Sequence, residues 1–452
     1  MIDTVPVPAL LKDFSRNFTS GGFEVYLVGG AVRDLFLGKK AEDWDVATNA
    51  TPEQVAALFK RIIPTGIEHG TVTIPFREHM IECTTFRTEQ GYSDGRRPDS
   101  IAYATTIEED LSRRDFTMNS IAVSLPDGKI VDPFGGRKDI GAGIIRTVGA
   151  PAERFGEDGL RPLRAVRFAS QLGFTIEPAT LARIKPAIPV TAKVARERIR
   201  DEISKILVSP APSTGLRFME ETGLLALVLP ELTACRGVEQ RGMHRFDVLD
   251  HLLYTCDASP AASLELRLAG LLHDIGKPRV QRTDISGCYT FYNHESVSAE
   301  MAASIMDRLR FPLRTNRTVT HLIRQHMFHY ESSWTDAAVR RFIVRAGEEH
   351  LDQLFALRRA DTYGITGVHA EPPLLGELAD RIADVTARDH AFSLKDLAIN
   401  GKDLAASGIP AGPATGIILA ELLEAVLDDP ELNVKEKLTG IATAIWQERF
   451  SE

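Results

Sequence analysis

The segment FEVYLVGGAVRDLFLG at 23–38 constrains the fold more than any other stretch. Its apolar run FEVYLVG at 23–29 reads as a buried strand, Gly29 and Gly30 as a tight turn, and AVRDLFLG as a helix closed by Gly38. A strand feeding a glycine turn and a helix brings backbone N–H groups close to a phosphate, because glycine has no side chain to block the approach. The next strand-like run, within EDWDVAT at 42–48, carries Asp43 and Asp45. Residues two apart on a strand project to the same side, so both carboxylates can reach one Mg²⁺ site. Phosphoryl transfer uses such a site to activate the attacking hydroxyl and neutralise the leaving pyrophosphate. A GG pair or a DxD pair alone also fits an ordinary solvated turn; their order behind a buried strand is what makes the combination specific.

Further strand-like runs at 43–47, 69–76, 79–86 and 120–125, with a capped helix in TPEQVAALFK, predict an α/β unit over the first 140 residues or so. Beyond GAPAERFGEDGL helical periodicity dominates, so the chain changes class near residue 145. The expected architecture is an α/β head with a small mixed sheet and helices, followed by all-α neck, body and tail. A length of 452 residues exceeds one ordinary core and calls for two or three domains. GIPAGPATG, near residue 412, is the most loop-like stretch of the C-terminal region.

The formal net charge of −9 argues against a protein that coats nucleic acid non-specifically, since that binding rests on phosphate neutralisation by Lys and Arg. A local basic track is present nonetheless: Arg154, Arg161, Arg164, Arg167, Arg183, Lys185, Lys193, Arg196, Arg198 and Arg200 offer a grip for a tRNA-sized partner. Cys83, Cys235, Cys256 and Cys288 are scattered and form no CxxC pair, as expected of buried free thiols. No stretch approaches the roughly 18 apolar residues of a membrane helix, and MIDTVPVPALLKDF lacks the pattern of a signal peptide, so the expected compartment is cytoplasmic, without membrane attachment.

Seven segments in order, LVGGAVRD, EDWDVAT, HGTVTI, YSDGRRPD, DLSRRDFTMNS, DPFGGRKDI and GEDGLRPLRAVRFASQLGF, resemble the polymerase β-like nucleotidyltransferases. They span about residues 25–175 and are similar to the class II group, which contains bacterial CCA-adding enzymes and poly(A) polymerases. The resemblance implies that Asp43 and Asp45 bind the catalytic metal, Mg²⁺, and that Gly29, Gly30 and Arg33 bind the triphosphate. It implies that Arg114 and Asp115, in RRDFT, contact the ribose. Glu82, in MIECTTF, is the candidate third carboxylate, although an ordinary exposed strand residue would look the same.

Glu157, Asp158 and Arg161, in EDGLR, match the group's amino-acid template, where Asp158 and Arg161 offer an acceptor and donors to one base edge and Glu157 holds Arg161. Helical spacing would put Asp158 and Arg161 on one face; the same spacing suits a surface ion pair. Arg164 and Arg167, one and two turns further on, are also assigned to nucleotide binding. The loop QGYSDGRRPDSIAY resembles the flexible loop of CCA- and A-adding enzymes, which disfavours a CC-only enzyme, and HGTVTI resembles the CCA-adding group. No basic C-terminal extension of the kind typical of bacterial poly(A) polymerases is found.

His251, the pair His273–Asp274 and Asp361 follow the order H…HD…D of the HD superfamily, in which these side chains bind a divalent metal inside a helical bundle. Imidazole with carboxylate suits a transition metal or Mg²⁺, and His294 and His326 could extend the site to two metals. Any one of these histidines alone would more simply be a hydrogen-bonded structural residue. Relatives of this domain hydrolyse phosphomonoesters or 2′,3′-cyclic phosphates, while others keep the ligands without a known reaction.

Together with these readings the resemblance implies a CCA-adding tRNA nucleotidyltransferase using CTP and ATP, with an expected head at 1–145, helical neck and body at 146–235, HD domain at 236–370 and helical tail at 371–452. The tail is a further candidate contact for the tRNA body. The alternatives are an A-adding enzyme or poly(A) polymerase using the same site, or an HD phosphohydrolase with an RNA-binding head.

Overall fold

The run VYLV forms strand β1 (Val25–Val28), with Val25, Leu27 and Val28 at most 2% exposed. In the computed structural model, which describes residues 3–39, 43–90, 100–240, 242–389 and 391–450, β1 is central in a seven-stranded sheet. The strands are β2 (Trp44–Thr48), β3 (Ile63–Gly66), β4 (Thr71–Phe76), β5 (His79–Thr85), β6 (Arg87–Gln90), β7 (Ser100–Tyr103), β8 (Ala122–Ser124) and β9 (Ile130–Val131). Their order is β3-β4-β5-β2-β1-β8-β9, with β6 and β7 paired apart. The sheet is mixed: β2 runs parallel to β5, and the other pairs are antiparallel.

Two strand expectations shift at their ends. Asp43 lies in a bend and β2 starts at Trp44; residues 67–69 form a 3₁₀ turn, so β4 starts at Thr71. Strands β3 and β9 sit at the two sheet edges, where IPTG and a two-residue IV show no alternation to read.

Helices α1 (Ala9–Ser20), α2 (Gly30–Phe36), α3 (Pro52–Leu58), α4 (Ile107–Ser112) and α5 (Gly136–Ala142) accompany the sheet. Thr51 caps α3 by accepting from the Gln54 amide while the Gln54 side chain accepts from the Thr51 amide. In α1, Leu11, Phe14, Ser15 and Phe18 recur at helical spacing and are all buried. Phe14 is fully buried, with ring centroids 5.4 Å from Phe18, 5.2 Å from Phe59 and 5.2 Å from Phe76. Val28, Ala47, Phe86, Ile107, Leu111 and Ala122 form another apolar cluster of the head.

After residue 145 helices prevail. α6 (Pro151–Glu157) and α7 (Arg161–Leu172) lead on, and Arg196–Leu207 and Pro212–Thr222 pack against α7. A short parallel pair joins Ile144–Ile145 to Thr175–Ile176, and a small hairpin pairs Arg282–Thr283 with Tyr289–Thr290. The chain divides into two units, residues 1–234 with 305–311, and residues 235–304 with 312–452. In the second, Val248–Ala258, Leu264–Leu272 and Leu351–Thr366 pack together. Its C-terminal helices Pro413–Asp428 and Lys435–Arg449 bury Ile418, Leu422, Val426, Leu438 and Ala442.

Because Phe14 joins α1 to the loop and strand aromatics, Phe14→Ala is expected to destabilise the head by about 3–5 kcal/mol. Urea unfolding followed by far-UV circular dichroism checks this; a loss below about 1 kcal/mol would mean that the site collapses around the cavity.

Candidate active site and candidate metal centre

The parallel register of β2 on β5 sets Asp45 beside Glu82. Strand alternation buries Val46, Ile81 and Cys83 while Asp45 and Glu82 stay exposed, and Asp43 is exposed just before β2. The three carboxylates line one cleft of about 960 Å³, together with Gly29, Gly30 and Arg33. The packing around Asp45 and the nearby charges of Glu82 and Asp43 push its carboxyl above the usual range, with Arg114 opposing. Gly29 has φ +71°, and a Cβ there would stand 3.2 Å from Arg114 Nη1 and 3.7 Å from Asp45 Oδ2. A side chain would therefore be strained and would crowd the carboxylate side of the cleft.

Buried carboxylates hold the cationic wall. Asp110, fully buried, accepts from Arg113 Nε at 3.0 Å and from Arg114 Nη2 at 3.1 Å. Asp115, 8% exposed, takes Arg164 Nε at 2.7 Å and Asn119 Nδ2 at 3.1 Å. Burial alone would raise the Asp115 carboxyl, but the Arg164 charge and the Asn119 and Arg164 hydrogen bonds hold it at about 2. Glu202 lies 2.7 Å from Arg167 Nε, and Arg33 donates to Asn119 Oδ1 at 3.1 Å. Sequence reasoning missed Asp110, Arg113, Asn119 and Glu202. Acidic residues inside DLSRRD look like helix-surface charges until the fold buries them.

Asp158 and Arg161 do not share a helical face. α6 ends at Glu157 and α7 begins at Arg161, and Asp158 has extended backbone, with its Oδ1 accepting from the Leu160 amide at 2.9 Å. Pro162, in the first turn of α7, has no N–H to give the carbonyl of residue 158, and Gly159 packs so closely that a Cβ there would fall 2.6 Å from the Val190 carbonyl oxygen. Arg161, 7% exposed, donates to Glu157 and, at 3.0 Å each, to the carbonyls of Arg154 and Arg113. Asp158 Oδ2 instead meets Arg198 Nη2 at 3.2 Å. Both Asp158 and Arg161 line the cleft with Arg114, Asp115, Arg164 and Arg167.

Much of the basic track is likewise paired with acids of its own unit. Arg154, Arg161, Arg164, Arg167, Arg198 and Arg200 each face a carboxylate of the same unit. Arg183, Lys185 and Lys193 are exposed. In HGTVTI, His69 and Thr71 reach the cleft. The loop segment YSDGRRPD lies outside the described residues.

The second unit gathers His251, His273, Asp274, His294, His326 and Asp361, all at most 8% exposed. Two sets have ligand atoms within 4.8 Å of one another: His251, His273 and Asp361, and His273, Asp274 and His326. His251 and His273 face each other at 3.0 Å through Nε2. Nδ1 of His273, His294 and His326 lies 3.0, 2.7 and 2.7 Å from the carbonyls of Gly270, Phe291 and Ile323. Those contacts fix the ring orientations and leave Nε2 toward the centre. Burial, opposed by the His251, His273 and Lys277 side chains, leaves Asp274 well below the usual carboxylate range. Lys277, one turn after the HD pair and missed by sequence reasoning, places Nζ 2.6 Å from Asp274 Oδ2.

Residues 25–146 match the family described as the Poly A polymerase head domain, residues 173–236 the probable RNA and SrmB-binding site of polymerase A, and residues 241–387 the HD domain. The CCA-adding enzyme of Levilactobacillus brevis is 35% identical over 432 residues, 95% of this chain and 96% of that one. That of Lactiplantibacillus plantarum is 36% identical over 443 residues, 96% of this chain and 95% of that one. The chain belongs to the CCA-adding enzymes. Among solved structures, the CCA-adding enzyme of Bacillus stearothermophilus in complex with CTP aligns with TM-score 0.74 and 32% identity over 97% of each chain. As a CCA-adding enzyme the chain is a template-independent nucleotidyltransferase with an HD domain. Head and HD domains of these kinds typically use divalent metals, and both sites here present donors of that chemistry.

A carboxyl whose folded pKa exceeds its unfolded value stabilises the fold only at low pH, and that contribution is lost as pH rises through the folded value. Asp45 is such a group. In chelator the protein is therefore expected to lose stability as pH rises past the usual carboxylate range, and Asp45→Asn should remove that part of the loss. Melting temperatures of both proteins in chelator from about pH 4, the unfolded aspartate value, up to about pH 8 check it; an Asn variant less stable throughout would assign Asp45 a favourable partner instead.

Proposed function

We propose that the head cleft adds C, C and A to the 3′ end of tRNA, taking nucleotides from CTP and ATP and releasing pyrophosphate. The observation that carries this reading is the convergence of Asp43, Asp45 and Glu82 opposite an arginine wall in one cleft. The tRNA 3′-hydroxyl oxygen bonds to the α-phosphorus while the bond from that phosphorus to the pyrophosphate oxygen breaks.

Asp43 and Asp45 are the residues that would hold Mg²⁺, with Glu82 as third carboxylate; the crowded charge beside Asp45 suits a hard dication. When bound, Mg²⁺ supplies charge neutralisation at the transferring phosphate and a lower pKa for the attacking hydroxyl. The Gly29–Gly30 backbone and Arg33 receive the triphosphate, and Arg114 reaches the ribose. Asp115 is a positioning residue, since its carboxylate is occupied by Arg164 and Asn119. Glu157 keeps Arg161 in place, and base reading has Asp158 exchange Arg198 for the edge of cytosine or adenine. The solved CTP complex of the Bacillus stearothermophilus relative supports CTP as one substrate.

The test supplies tRNA lacking its three terminal nucleotides with CTP and ATP, separately and together, and maps the added 3′ sequence. Addition of CCA and no more is expected, falling on the order of 1000-fold or further in Asp43→Ala/Asp45→Ala. A-only products or long A tails would move the chain to the A-adding or poly(A) branch.

For the HD centre, hydrolysis of phosphomonoesters or 2′,3′-cyclic phosphates is the second activity, favoured by a buried donor set in which Asp274 Oδ1 and His294 Nε2 lack hydrogen-bond partners. Phosphate release from a 2′,3′-cyclic nucleotide, lost in Asp274→Ala, is expected. Absence of release across Mg²⁺, Mn²⁺, Ni²⁺ and Co²⁺ would refute it.

A further inference from the structure

We propose that the head holds the last nucleotide of the tRNA on a subsite built from Tyr103, Arg87 and the turn at His69 and Gly70, with the base on the Tyr103 ring and the phosphate on Arg87. The inference rests on the reading that the head cleft adds nucleotides to tRNA, and it assigns where the attacking end lies. In-line phosphoryl transfer puts the attacking and leaving oxygens on opposite sides of the α-phosphorus. The pyrophosphate belongs at Gly29, Gly30 and Arg33, beside β1, and the carboxylates stand on or just before β2 and on β5. In the order β3-β4-β5-β2-β1, those carboxylates separate β1 from β4 and β3. The attacking hydroxyl therefore enters from the β4 side, where Thr65, His69, Thr71, Arg87 and Ile101 line the cleft.

Three segments meet on that side. The amide of Thr85, the last residue of β5, donates to the Gly70 carbonyl at 2.9 Å, which ties the 67–70 turn to the chain entering β6. Arg87 Nη1 donates to the His69 carbonyl, so the guanidinium is held against the same turn. On the β6–β7 ribbon Arg87 and Tyr103 are register partners, and their side chains share a face. Ile101, two residues before Tyr103, belongs to that face as well and lines the cleft.

Tyr103 has a seat without being covered. Gly70 has φ +74°, and a Cβ there would stand 3.3 Å from Tyr103 Cε1, so the ring packs against backbone that carries no side chain. The residue is nevertheless 52% exposed. One exposed aromatic is ordinary on a protein surface. An exposed aromatic beside a fixed, cleft-lining arginine is the pairing that recognises single-stranded RNA, in which a base stacks on the ring and the guanidinium takes the phosphate. Stacking accepts any base, and this suits an end whose last residue changes with every addition.

The test uses the full chain and a tRNA that lacks its three terminal nucleotides and carries 2-aminopurine as its last residue. Stacking quenches that base, so binding to the wild-type protein is expected to lower its fluorescence. The quench should be lost in Tyr103→Ala and restored in Tyr103→Phe. During nucleotide addition Tyr103→Ala should raise KM for tRNA on the order of 10-fold, with KM for CTP held. Arg87→Gln should lower the slope of log kcat/KM for tRNA against log salt by about 0.7, the value of one single-strand phosphate. A quench that survives Tyr103→Ala, or a salt slope unmoved by Arg87→Gln, would overturn the subsite. A rise in KM for CTP alone would overturn it too, by placing Tyr103 at the incoming nucleotide. Failure of the wild-type protein to extend the truncated tRNA would instead overturn the reading on which the subsite rests.

Discussion

The head depends on a repulsion held in place by apolar packing. Asp45 and Glu82 are register partners on the parallel pair β2 and β5, with Asp43 immediately before. Three like charges at such a spacing oppose folding, and the Asp45 carboxyl is raised first by burial and then by the charges of Glu82 and Asp43, with Arg114 opposing. What keeps them together is the other side of the same strands, where Val46, Ile81 and Cys83 are at most 1% exposed. Burial of those side chains contributes on the order of 1.5–3 kcal/mol each and sets the register, and a one-residue slip would turn the carboxylates inward. The site is thus an electrostatic liability without a cation and a ready ligand set with one.

The cationic lining is built in the reverse sense, with arginines held by acids, of which Asp110, Asp115 and Glu202 are buried. Asp110, Asp115, Glu157 and Glu202 each take one or two guanidinium groups, so the cleft presents donors whose geometry is set before a nucleotide arrives. Such pairs stabilise a fold little, because desolvation offsets most of the attraction. Their value lies in preorganisation: a fixed guanidinium does not have to reorient as charge develops on the transferring phosphate. The same fixation explains why a net charge of −9 is compatible with a nucleotide-binding cleft, since many basic residues and their acidic partners cancel locally.

The two centres use different donor chemistry. In the head, oxygen ligands stay open to solvent along a cleft, as suits a hard ion that keeps part of its hydration. In the second unit, imidazoles join carboxylates in a buried cluster, where Nδ1 contacts to Gly270, Phe291 and Ile323 orient the rings. Burial there makes unsatisfied atoms costly, so the arrangement of Asp274 among four histidines is informative in a way that an exposed cluster would not be.

Much of this was readable from sequence where chemistry is local. Strand-like runs marked β1, β2, β4, β5 and β8; the Gly29–Gly30 turn and the Asp43–Asp45 spacing are short-range patterns, and the H…HD…D residues are legible by their order. Edge strands β3 and β9 escaped because pairing at an edge needs little alternation. The template segment was misjudged because helical spacing alone put Asp158 and Arg161 together, whereas the helix stops at Glu157 and restarts at Arg161, just before Pro162, with Gly159 packed close to Val190, 31 positions away in the sequence. Sequence by itself determined which groups can donate, accept, ligate or titrate. Only tertiary structure decided that Asp115 holds Arg164, that Asp158 turns to Arg198, and that Asp274 divides its oxygens between two histidine pairs. The reason is that donor chemistry belongs to a residue, while burial and partnership arise from segments far apart in the chain.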